Sequence, residues 1–145
     1  LARSLGHDLL CRNVTSSEHA YPSFRLTRAT WGFAEMDDPP ACFALEWPRA
    51  RKTMRAGATP YVGLRATKTT LIGAALRASE QVRKLRLARK DVTSAWWVAY
   101  AYVPPGPDFP VGADGYRETL RDALRVVWGA YIESVDATLR EQLTQ

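Results

Sequence analysis

The sequence predicts an α+β protein: a small, mainly antiparallel sheet flanked by two longer amphipathic helices, the C-terminal one projecting. Three observations lead there. Short runs rich in β-branched and aromatic residues fall at 24–35, 41–47 and 95–103. Prolines stop two of them, in Asp37-Asp38-Pro39-Pro40 and Pro104-Pro105, because proline cannot donate to a ladder. Two longer stretches, near 70–89 and 116–143, space their apolar residues by threes and fours.

Taken in order, residues 2–12 suit a short helix with Leu5, Leu9 and Leu10 on one side and Gly6 weakening it. Residues 13–22 read as a polar loop. From Phe24 to Met36, Thr27, Thr30, Trp31 and Phe33 favour strand, and Phe24/Leu26 alternate with Arg25/Thr27. After the Asp-Asp-Pro-Pro turn, Ala41, Phe43, Leu45 and Trp47 share one strand face, with Cys42, Ala44 and Glu46 on the other. Residues 48–68 are basic and irregular. Thr69 or Thr70 caps a helix running to about Lys90, with a stripe of Leu71, Ala75, Ala78, Val82 and Leu85.

Ala95 to Val103 is apolar on both alternating sets, which predicts a central strand covered on both faces, with Trp96 and Trp97 each buried. Residues 104–115 hold four prolines and three glycines and read as a linker. Asp114 then caps a helix from Tyr116 to about Leu143, striped by Tyr116, Leu120, Leu124, Val127, Tyr131, Val135 and Leu139 and widened by Trp128 and Ile132. Some 28 residues make about 42 Å, longer than a small domain is wide, so its C-terminal half is expected to project. The organisation is thus one domain: a basic body at 1–103, a linker at 104–115 and a terminal helix at 116–145.

Charge is unevenly spread. Before Asp91 there are sixteen Lys and Arg against seven acids, a net of +9; from Asp91 onward four face eight, a net of −4. A pI near 9.5 favours anionic partners: nucleic acid, anionic lipid headgroups or acidic protein. The longest strongly apolar run, Ala95 to Val103, is under half the roughly 20 residues that span a bilayer, so no transmembrane segment is expected. Two cysteines, Cys11 and Cys42, are too few for a disulfide framework and read as small buried thiols in a reducing compartment. The chain opens on Leu1 rather than Met. That start suggests a removed presequence or a trimmed chain.

The chemical inventory is thin. His7 and Cys11 lie four apart, the one spacing that suits a shared helix face, but no C-x-x-C or H-x-x-x-H pair supports zinc. Gly63-Leu64-Arg65-Ala66-Thr67-Lys68-Thr69 lacks the glycines that wrap a phosphate. Asp37, Asp38, Glu46 and Lys52 echo a metal-dependent nuclease only loosely, since Pro48 interrupts the strand. No cofactor, metal or catalytic residue is therefore predicted, and the chain is expected not to be an enzyme.

Two surfaces are candidates. Trp128, Tyr131, Ile132, Val135 and Leu139 form the stripe expected to project and bind a partner subunit. Arg49, Arg51, Lys52, Arg55, Arg65 and Lys68, with Arg83 and Lys84 as a second patch, are the candidate contacts to anions or nucleic acid; Trp31, Trp47 and Tyr61 lie near the first. The resulting expectation is a structural or accessory subunit of a larger complex, mitochondrial, with a cytoplasmic location as the alternative. The competing expectation is an RNA- or DNA-contacting protein, including a ribosomal one.

Overall fold

The computed structural model describes residues 8–14, 23–33, 35–36, 38–47, 60–84, 94–103 and 112–145. Five strands follow one another as β1 (Leu9–Val14), β2 (Ser23–Arg28), β3 (Cys42–Glu46), β4 (Tyr61–Arg65) and β5 (Trp97–Tyr102). Each pairs antiparallel with the next, so the spatial order is the chain order, and β3 is central. Three helices accompany them: α1 (Leu71–Ala78), α2 (Glu80–Lys84) and the long α3 (Gly112–Leu143). The α+β class read from the sequence is the observed one.

Alternation along the strands divides the sheet into two faces. The inner face, toward the helices, carries Leu9, Leu26, Phe43, Leu45, Val62, Leu64 and Ala99, all buried. Against them α3 lays Leu124, Val127, Trp128, Tyr131, Val135 and Leu139, steps of three, one, three, four and four that keep one stripe inward. Trp31 and Phe43 sit against Trp128, with ring centroids 6.4 and 5.0 Å away. Arg28 then ties the layers together: it bonds Asp8 at 2.6 Å and also Asp136 of α3, while Trp31 Nε1 donates to Asp136 at 2.7 Å.

Burial corrects the placement of the terminal stripe. Trp128, Tyr131, Val135 and Leu139 belong to the chain's own core, and Ile132 is half-buried beside it. Leu124 to Leu139 covers about 22 Å of helix, close to the width of five strands spaced at about 4.8 Å. The C-terminal half therefore crosses the sheet instead of projecting; exposure begins beyond the stripe, at Arg140, Glu141 and the last three residues. The exposed stretch is the opposite end, where Gly115, Arg117 and Glu118 face solvent. The helix also begins four residues sooner than the predicted Tyr116, so residues 112–115 of the expected linker are its first turn.

Other elements depart from the sequence reading. Residues 9–14 are a strand, not the end of a helix. Tyr61–Arg65 is a strand inside the stretch read as irregular, and β2 ends at Arg28, where Ala29–Trp31 makes a 3-10 turn closed by Gly32 at φ 75°. The helix expected over 70–90 is broken at Ser79. Its N–H ends α1 on the Ala75 carbonyl, and its Oγ accepts from Val82 N to start α2. Thr70 caps α1 as expected, accepting from Gly73 N at 3.0 Å. The inward residues of α1 are Gly73 and Leu76, with Ile72 packed beside them; Leu71 is 83% exposed and Ala78 is exposed too. Residues 85–90, with Leu85, lie outside the described residues.

β5 is an edge strand, not a central one. It pairs with β4 alone among the described residues. Trp97 is buried, but Trp96 precedes the strand and is 53% exposed, so the expectation that both are covered fails for Trp96.

Candidate functional site

The outer face of the sheet concentrates the polar chemistry. The register lines up three rows across it. Val14, Ser23, Glu46, Tyr61 and Tyr102 form one; Arg12, Arg25, Ala44, Gly63 and Tyr100 form the middle one; Cys42, Arg65 and Trp97 belong to the third. In the middle row the arginines thus stand on β1 and β2, Tyr100 on β5, and the smallest residues, Ala44 and Gly63, in between. A Cβ on Gly63 would lie 2.1 Å from the Ala99 carbonyl oxygen and 2.7 Å from Tyr100 Cα, so glycine is what lets β5 come this close.

Around those small residues the aromatics build a second, thinner apolar cluster. Cys42, Ala44 and Trp97 are buried, with Tyr61 and Tyr100 packed on them. Tyr61 sits at its centre, with ring centroids 5.2 Å from Trp97, 5.7 Å from Tyr100 and 6.2 Å from Tyr102. Its hydroxyl donates to Glu46 Oε1 at 2.8 Å. Burial pushes the Glu46 carboxyl above its ordinary value, and the Tyr61 bond and two arginines only partly offset this.

Beside this cluster, two guanidiniums converge on one carboxylate oxygen. Arg25 Nη1 and Arg65 Nη1 donate to Asp38 Oδ1 at 2.9 and 2.7 Å, and Arg25 Nε donates to Ser23 Oγ at 3.2 Å. Both arginine side chains are nearly buried, whereas that of Asp38 is 62% exposed. Burial works to raise the Asp38 carboxyl, but Arg65 and Arg25 outweigh it and hold it below the usual carboxylate range. Arg65 also lies 5.9 Å from the centre of the exposed Trp96 ring, at cation–π distance. Tyr102, at the other end of β5, is 63% exposed.

Cys42 has no nucleophilic character here. Complete burial pushes its thiol up to about 11, which keeps it protonated at neutral pH. Cys11, expected to be buried, is exposed on β1, and a strand at Cys11 removes the helix-face pairing with His7. His7 itself lies outside the described residues. Among the described residues no group of three or more His, Cys, Asp or Glu is placed to hold a metal ion, and no helix is long and apolar enough to cross a membrane.

The two predicted basic patches are only partly described. Arg49, Arg51, Lys52 and Arg55 lie outside the described residues. Arg65 is committed to Asp38 on the outer face, and Lys68 is exposed in the turn after β4. Arg83 and Lys84 are exposed on α2, in the helical layer on the other side of the sheet, where Lys84 pairs with Glu80 at 2.8 Å. Of the predicted site residues that are described, only Arg65 joins the outer-face cluster. Sequence reading missed Arg25, Tyr61 as a centre, and the exposed pair Trp96 and Tyr102. Strand register, which requires knowing β1 and β4, is the signal that would have grouped them. Comparisons with known protein families, with curated proteins and with solved structures found no match to this chain.

Proposed function

We propose that the protein is a non-enzymatic accessory subunit that docks another protein through the outer face of its sheet, at the rim formed by β5. One observation carries this reading. Trp96 and Tyr102 stand more than half exposed at the two ends of an edge strand whose other residues are covered by the chain itself or half-buried. Large aromatics of this kind, with a buried arginine beside them, are the residue types that anchor protein interfaces. β5 also carries neither charge nor proline between Trp97 and Tyr102, the devices that commonly keep an edge strand from pairing. β1, at the opposite edge, carries Arg12.

Among the described residues the nucleic-acid reading has less support, because the predicted cations divide between two faces, Arg65 on the outer face and Arg83 and Lys84 on the far side of the sheet. The test is to isolate the tagged protein from its native source beside a Trp96→Ala/Tyr102→Ala variant. The unmodified protein is expected to run as a stoichiometric protein assembly, and the variant as a folded monomer with an unchanged melting temperature. A native protein that runs alone, an assembly indifferent to both substitutions, or co-purifying nucleic acid would each defeat the proposal.

A further inference from the structure

The aromatic rim says where a partner sits; the arginine pair says what that partner carries. We infer that Arg25 and Arg65 form a carboxylate receptor for an acidic, extended segment of the partner protein, and that Asp38 occupies this receptor in the free chain. The inference rests on the docking reading above and names the chemistry of its occupant.

Two features make the pair a receptor rather than a surface ion pair. Both guanidiniums are nearly buried and held from behind, Arg25 by Ser23 Oγ and Arg65 between Asp38 and the Trp96 ring. The ligand they share is the opposite, since the Asp38 side chain is 62% exposed and follows an irregular path between β2 and β3. A fixed cationic socket with an exposed occupant favours exchange of that occupant for another carboxylate, at little cost in rearranged side chains.

Charge balance points the same way. Among the described residues the outer face presents Arg12, Arg25 and Arg65 beside Asp38 and Glu46, and burial favours the neutral form of Glu46. The arginine pair is the cationic feature that an arriving carboxylate would meet there. Trp96 and Tyr102 provide apolar contact alongside, so the segment that fits alternates carboxylates with apolar side chains.

The experiment uses the full chain and three probes: an amidated octapeptide alternating Glu and Leu, its Gln/Leu counterpart, and oligo-dT of similar length. Binding is followed by fluorescence anisotropy. The Glu/Leu peptide is expected to bind about tenfold tighter than the Gln/Leu peptide. Asp38→Asn, which removes the internal competitor at an exposed position, should tighten Glu/Leu binding several-fold. Arg65→Gln should erase the preference for Glu over Gln, with thermal unfolding reporting that the variant is folded; Arg65→Lys, which keeps the charge but not the fork, should restore only part of it.

If Asp38→Asn weakens Glu/Leu binding or leaves it unchanged, Asp38 is a structural partner and the inference is wrong. Tighter binding of oligo-dT would replace the peptide by a polyanion. Equal binding of both peptides that is lost in Trp96→Ala/Tyr102→Ala would sink the carboxylate receptor but keep the docking surface. Absence of binding by either peptide at millimolar concentration would reject the receptor outright, while the native-source assembly would still decide the docking reading.

Discussion

On the inner face of β3, Phe43 meets Trp31 and Trp128 inside the main apolar cluster. On the outer face of the same strand, Cys42 and Ala44 are equally buried, yet the side chains around them are Tyr61, Tyr100, Arg25 and Arg65. One face excludes water with a helix, the other with aromatic rings and a carboxylate-linked arginine pair. Among the described residues the cover of the outer face is therefore long side chains laid over small ones, with their charges matched, where the inner face has a helix.

The strongest way to break the comparison is to empty the inner face. Trp128→Ala or Tyr131→Ala should cost about 3–5 kcal/mol in denaturant unfolding, the range for removing a large buried aromatic. Cutting the chain after Trp128 should abolish cooperative unfolding. A truncated chain that still folds would return the stripe to partner binding.

The outer face should answer to alkaline pH. The Cys42 thiol is raised from 9.0 to about 11, so its contribution is fully present below pH 9 and is lost as pH rises toward 11. In that window the unfolded chain ionises first. The loss should reach about 2–3 kcal/mol and be absent from a Cys42→Ala variant, compared by unfolding at several pH values.

Gly63→Ala asks how tightly β5 is seated. The added methyl meets backbone, which cannot swing away, and a cost of about 1–3 kcal/mol is expected from thermal or denaturant melts. Glu46→Gln gives a smaller effect with a definite sign. The raised carboxyl contributes stability below its ordinary pKa that is lost as pH rises through its folded value, so the variant should compare better with the parent at pH 7 than at pH 4. Smallest of all is Trp96→Ala, expected within about 0.5 kcal/mol of the parent, beside several kcal/mol for Trp97→Ala. Equal costs at the two tryptophans would remove the exposed rim.

Much of the inner face was legible in the sequence. Phe43 and Leu45 alternate with Cys42, Ala44 and Glu46, and the stripe from Leu124 to Leu139 has helical spacing; both are periodicities that burial imposes directly. The outer face was not, for identifiable reasons. β4 is five residues containing Gly63 and Arg65, set among basic residues, so it reads as loop. β1 mixes Leu, Cys, Arg and Asn without clean alternation. β5 is apolar on both sides because its outer residues join the aromatic cluster, which mimics a central strand while the strand lies at the edge. Arg25, Asp38 and Arg65 are separated by 13 and 27 positions; strand register sets the two arginines on one face, and Asp38 reaches them from between β2 and β3.

The bond between Arg28 and Asp136 joins residues 108 positions apart. The strands between them pair with their neighbours in chain order, so the sheet can grow step by step as the chain emerges. Their inner face takes only part of its cover from Leu76 and Val82 and the larger part from Leu124 to Leu139, a segment made well after the strands. A growing chain that has not yet made that segment would leave much of the face around Leu26, Phe43 and Leu64 to its surroundings. The sheet is thus assembled early and sealed late, and the interval before sealing is when it most needs a chaperone or slow translation just upstream of the long helix.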